Sequence, residues 1–199
     1  MKHHSLPKVL LDESIELLCE LIAIPSVSGN EGALVTYLCH VLDAWGWRYE
    51  CHDTIAGRPI IFITFGEPKV VYSTHTDVAP GSDVLFTPRF DGKSVRGRGA
   101  CDAKGIIVAM IAAARLLISE GHTDFGVLLV PGKELDGVGA RVASSALKNR
   151  GILHFINGAP TEGSLMKGQK GLLKLLLKAQ GGASHSTSLG GVMMRTVDW

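Results

Sequence analysis

Phe125-Gly126-Val127-Leu128-Leu129-Val130 contains no polar side chain. Side chains alternate between the two faces of a strand, so such a run needs cover on both faces, as in a parallel sheet packed between helices. The flanking segments agree. Lys104–Ser119 is a long apolar stretch with Ala112, Ala113 and Ala114, closed by Gly121, and reads as a helix. Strands are expected at residues 48–51, 59–65, 70–74, 153–157 and 172–179, and a further helix at 139–149. Residues 81–93, rich in turn formers, read as an irregular loop.

Two more helices precede these strands. Leu11, Ile15, Leu18 and Ile22 recur at helical spacing, with Asp12 and Glu13 expected in the first turn, where the helix dipole favours acids. Pro25 ends this helix, and Ser26 to Asn30 form a turn. Leu34, Leu38, Val41, Leu42 and Trp45 mark the second helix, with Gly46 as its C-cap. Strands alternating with helices predict an α/β fold with helices on both faces of a mostly parallel sheet.

The apolar runs deliver polar groups at their ends. His75 and Asp77 follow the run at 70–74, Lys133 and Glu134 follow Phe125–Val130, and Ala159 and Glu162 follow 153–157. Ligands bind beyond the carboxyl ends of strands in open α/β sheets, so parallel neighbours here would converge on one crevice, with Asp102 facing it from the start of the long helix. His-x-Asp alone is weak, since a solvated turn also produces it. One imidazole with several carboxylates (His75, Asp77, Asp102, Glu134 and in principle Glu162) forms a donor set suited to zinc, cobalt or manganese. His40, His52, His122 and His154 read as surface or satisfied core residues, and Arg141 as a helix residue supporting the site loop. The segment from Gly97 lacks the third glycine of a dinucleotide fingerprint, and the chain has neither a phosphate loop nor a serine-hydrolase elbow.

Charge and composition exclude other classes. The net charge is +1 without a basic block, which argues against a nucleic-acid surface, and 46% hydrophobic residues argue for a globular chain. No apolar run reaches membrane-spanning length, and Met1-Lys2-His3-His4 begins no signal peptide. Cys19, Cys39, Cys51 and Cys101 have no C-x-x-C spacing and read as free thiols in a reducing, cytoplasmic compartment, with Cys19 and Cys39 in core positions.

Ser73-Thr74-His75-Thr76-Asp77-Val78-Ala79-Pro80, Gly97-Arg98-Gly99-Ala100-Cys101-Asp102-Ala103-Lys104-Gly105 and Gly168-Gln169-Lys170-Gly171 resemble the M20 metallopeptidases, from about Leu17 to His185. The wording around Pro160-Thr161-Glu162 is most similar to the acetylornithine deacetylase branch. The resemblance implies a three-layer catalytic domain (residues 1–168) followed by the start of a smaller α+β dimerisation domain (169–199), in a family of homodimers. It also implies two zinc (or cobalt) ions and hydrolysis of the amide bond in N-acyl amino acids or small peptides. By resemblance His75 binds one metal, Asp77 orients it, Asp102 bridges both metals and Glu134 binds the second. His185 matches a histidine thought to stabilise the oxyanion in the other subunit's site, and Lys170 begins the strand entering the second domain.

The chain departs from that family pattern in three places. Lys133 stands at the general-base glutamate, where a protonated amine cannot accept a proton and repels dications. Ala159 replaces a glutamate ligand; Glu162, three residues on, either substitutes for it or is a solvated loop acid, and the pattern favours the second. After His185 the family wording stops, as in a truncated or frameshifted reading frame. Two ligands would then remain for each metal, so weak or partial occupancy is expected. The competing expectations are a metal-dependent amidohydrolase, an inactive remnant that binds or dimerises, and the record of a broken gene.

Overall fold

The computed structural model describes residues 6–54 and 57–168. The chain divides into two compact units, Met1–Gly163 and Ser164–Trp199. All helices and strands of the described residues lie in the first. The strand expected at 172–179, Lys170 and His185 fall outside the described residues.

Helix α1 (Lys8–Ala23) and helix α2 (Gly32–Ala44) lead into β1 (Tyr49–His52), β2 (Ile60–Phe65) and β3 (Val70–His75). A 3-10 turn at Asp83–Phe86 and a small hairpin, β4 (Arg89–Phe90) with β5 (Val95–Arg96), follow. The 3-10 turn and β4 are regular pieces inside the segment read as an irregular loop, and β5 lies just beyond it. Helix α3 (Lys104–Ser119), β6 (Phe125–Val130), α4 (Val138–Ala146) and β7 (His154–Asn157) complete the unit. The main sheet has the order β1-β2-β6-β3-β7. β3 is parallel to both β6 and β7, while β2 is antiparallel to β1 and β6. Only β2 therefore runs against the others, and the sheet is mixed but mostly parallel.

Alternation along β2 shows why the apolar runs need two covers. Ile61 and Ile63 pack with Leu17, Leu21, Leu34, Leu38, Ile107, Ile111, Val127 and Leu129 under α1, α2 and α3. Ile60 and Phe62 pack with Val71, Leu128, Ala143 and Leu147 under α4. The result is the expected three-layer arrangement, helices on both faces of one sheet. No helix among the described residues is long and apolar enough to cross a membrane.

The expected face of α1 is shifted. Leu10, Leu17, Leu21 and Ile22 are buried, whereas Leu11 is 44% exposed. The helix also starts earlier than expected, with Pro7 as its N-cap, so Asp12 and Glu13 fall beyond the first turn, which holds no acid. Glu13 instead pairs with Arg115 of α3. At the other end, the residue before Pro25 turns extended, as the proline ring requires. α2 ends at Ala44 with Trp45 as its C-cap, one residue before the expected Gly46, which follows at φ +68°. Cys19 and Cys39 are half-buried rather than in the core.

Candidate metal centre

β3 and β6 lie side by side in parallel, with His75 paired to Val130, so both strands end at the same level. His75 is buried. Its Nδ1 lies 2.9 Å from the backbone carbonyl of Asp77, which can only accept, so Nδ1 carries the proton. Nε2 is therefore the ring nitrogen offered to the site, and it lies 2.9 Å from Asp102 Oδ1. Burial pulls the His75 pKa down, but the bonds to Asp77 and Asp102 outweigh it and the net displacement is upward.

Asp77 holds the imidazole mainly through its carbonyl, because its carboxylate Oδ1 is farther off, at 3.3 Å. That carboxylate, fully buried, has a second task. It accepts from Ser28 Oγ at 2.7 Å, from the backbone N–H of Lys133 at 3.0 Å and from that of Glu134 at 2.8 Å. Burial alone would raise its pKa, but His75, Ser28 and the two amides hold it well below the usual carboxylate range. Asp77 thus hangs the loop carrying Lys133 and Glu134 beside His75. The loop's bend is closed by Gly132, at φ +79°, whose carbonyl accepts from Asp136 and Gly137. A Cβ there would come within 2.4 Å of Asp136 Oδ1 and 2.6 Å of Arg58 Nη2.

Asp102 arrives from the turn preceding α3. Gly105 lets that helix start close against the turn, since a Cβ would stand 2.1 Å from the Ala100 carbonyl oxygen. Lys104 is fully buried and its Nζ donates to the Ile24 carbonyl at 2.7 Å, tying the end of α1 to the same turn. Burial lowers its pKa to about 8.

The structure brings His75, Asp102 and Glu134 together, with one donor atom from each within 4.8 Å of the others. Three protein donors of N/O/O type match the number and kind that hold a catalytic divalent ion such as zinc. Among the described residues this is the single such group. Lys133 Nζ lies 2.5 Å from Glu134 Oε1 and 3.5 Å from Asp102 Oδ2. The bond to Glu134, with help from Asp102, raises its pKa against the opposing effect of burial, so it is an ammonium. Ala159 is exposed and its methyl group offers no donor. Glu162 is exposed, at φ +53°, and stands outside the donor group. His40, His122 and His154 are exposed, and His52 lies 3.0 Å from Glu50. Arg141 Nη1 donates to the Asp136 carbonyl at 2.6 Å, supporting the loop as expected.

Ser28, Glu31 and Arg58 were not legible as site residues. Arg58 donates from Nε and Nη2 to the two oxygens of Glu31, at 2.9 and 2.8 Å, and from Nη1 to Asp136 Oδ2 at 2.8 Å. The one sequence signal is an acid at the start of an amphipathic helix, as Glu31 is at the N-cap of α2.

Replacing Asp77 by Asn leaves one acceptor oxygen for donors that now use two. The expected outcome is a folded chain whose affinity for Co2+ falls about 10–100-fold, as when other groups that support metal ligands are lost. Unchanged affinity by calorimetric titration would show that the loop is held without Asp77.

The model of peptidase family M20/M25/M40 matches residues 71–173, just over half of the chain. A peptidase M20 domain-containing protein of Schizosaccharomyces pombe is 33% identical over 185 residues, covering 88% of this chain and 45% of that protein. A probable carboxypeptidase of Emericella nidulans is 29% identical over 205 residues, covering 90% and 48%. Among solved structures, human carnosine dipeptidase 1 has a similar fold, with a TM-score of 0.65 and 20% identity over 76% of this chain and 39% of that one. The chain spans about half the length of the curated relatives it matches.

Proposed function

Since this chain belongs to peptidase family M20/M25/M40, we propose that it carries the metal-binding part of a metal-dependent hydrolase that cleaves an amide bond in short peptides or N-acyl amino acids. The observation that carries this reading is the convergence of His75 Nε2, Asp102 and Glu134 at the ends of β3 and β6. Zinc is the leading ion, with cobalt as an alternative, and a second ion is expected only where further ligands join. A bound ion supplies Lewis-acid polarisation of the scissile carbonyl and acidifies a bound water. His75 would offer Nε2 once an ion displaces its proton, Asp102 and Glu134 would offer charge, and Asp77 keeps His75 and the loop carrying Glu134 in place.

The relative named as a probable carboxypeptidase and the neighbour named as a dipeptidase favour a peptide substrate over acetylornithine, the more specific candidate from the sequence. The reading includes residues 1–168 as catalytic domain, 169–199 as the start of a dimerisation domain with His185 acting across a homodimer, and a cytoplasmic location.

A second reading is favoured by Lys133. Its ammonium cannot take a proton from water and already neutralises Glu134. On this reading the chain binds metal, or a homologue, without turnover.

The test is metal bound per purified chain after dialysis, with His75→Ala as control. About one Zn2+ per chain, lost in the variant, supports the site, and a folded chain that retains none at saturating zinc overturns it. Hydrolysis of a dipeptide or of N-acetylornithine by the loaded chain then separates the enzyme from the inactive remnant.

A further inference from the structure

Helix α2 and strand β1 are consecutive elements joined by a short turn, and each carries one cysteine toward the other. Cys39 Sγ and Cys51 Sγ lie 3.6 Å apart. Cys39 packs at the margin of the larger core, and Cys51 sits exposed on the sheet's edge strand. Two residues before Cys51, and so on the same side of the strand, Tyr49 donates from its Oη to Asp43 Oδ1 of α2 at 3.0 Å. The helix and strand are therefore held face to face at the level of the two thiols.

We propose that Cys39 and Cys51 are a disulfide-forming pair, a covalent modification site that staples α2 to β1. Sulfurs in contact must close by about 1.5 Å to reach a bond of about 2.05 Å, a movement that rotation about the two Cα–Cβ bonds can supply. The oxidant is a low-molecular-weight disulfide such as oxidised glutathione. One cysteine loses its proton and attacks that disulfide, giving a mixed disulfide and releasing one glutathione thiolate. The other cysteine loses its proton and attacks the mixed disulfide, forming the Cys39–Cys51 bond and releasing the second thiolate. Two electrons pass from the protein sulfurs to the oxidant, and the two protons end on the departing thiols. Desolvation, and the bond to Cys39, push the Cys51 thiol up to about 12, so attack by Cys51 is slow at neutral pH and accelerates as pH rises.

The experiment treats the full chain with excess oxidised glutathione at pH 8.5, followed by alkylation and peptide mapping. The unmodified chain carries four free cysteines, of which Cys51 and Cys101 are exposed. The expected result is one new cross-link between the Cys39 and Cys51 peptides, with Cys19 and Cys101 recovered either alkylated or as glutathione adducts. Cys39→Ser and Cys51→Ser should each give no internal cross-link, the remaining cysteine of the pair stopping at the glutathione mixed disulfide. The oxidised protein should melt about 5 °C higher, as a short closed loop predicts. Four alkylatable thiols after treatment, a cross-link involving Cys19 or Cys101, or a cross-link between two chains would each overturn the proposal.

Discussion

Lys133→Met should bind Co2+ or Zn2+ at least about tenfold more tightly than the natural chain, and Lys133→Glu about a hundredfold. The reason is charge in a small space. Like unit charges about 4 Å apart repel by about 1 kcal/mol in water and about 4 kcal/mol at an effective dielectric near 20, and each 1.4 kcal/mol is a factor of ten in affinity. Lys133 is half-exposed, which places its effect toward the lower end. The ammonium also holds Glu134, a carboxylate that a metal ion needs. Methionine removes the cation while keeping the length of the side chain, and glutamate adds an acceptor as well. Where the rest of the catalytic machinery is present, glutamate should also restore the roughly 10²–10⁴ that a general base contributes to rate. Calorimetric titration of the natural chain and both variants decides the matter. Equal affinity of the methionine variant and the natural chain would mean that Lys133 turns away at no cost when metal binds.

Arg58→Met should cost about 3–5 kcal/mol of folding stability, the usual penalty for removing one partner of a buried ion pair. Glu31 is fully buried and receives both of its short bonds from this one guanidinium. Without Arg58, a carboxylate stays in the interior with its charge uncompensated, or takes up a proton at a comparable cost. A domain of this size is stable by about 5–15 kcal/mol, so the loss is a large fraction of the total. The damage should also reach the metal centre, because Arg58 holds Asp136 in the loop that carries Glu134. Urea unfolding should show a large drop in midpoint, and the double variant Arg58→Met with Glu31→Met should recover much of it, since neither charge is then stranded. A single variant within about 1 kcal/mol of the natural chain would show that water reaches Glu31.

Most strand and helix positions could be read because they rest on local periodicity. Lys104–Ser119 and Phe125–Val130 were expected at the bounds the structure gives them. The reading slipped where a helix face had to be chosen. Leu10 and Leu11 are both apolar and adjacent, and only the packing of α1 against α3 selects Leu10 for burial. It also missed the short hairpin of β4 and β5, whose two-residue strands have no period to detect.

For the site, the sequence by itself determined the chemical identities: an imidazole at the end of one apolar run, a carboxylate before a helix, and a lysine where the family resemblance expects a glutamate. It also determined that the core must have two faces, because six consecutive apolar residues cannot face water. The parallel pairing of β3 with β6 places His75 beside the loop that carries Glu134. That pairing, the several loads on Asp77 and the buried bond between Glu31 and Arg58 were decided only by the tertiary structure. Each joins residues far apart in the chain, 27 positions for Glu31 and Arg58 and 56 for Asp77 and Lys133. Hydrogen bonds and ion pairs over such separations leave no periodic mark, because they depend on where folding brings two polar groups out of water together.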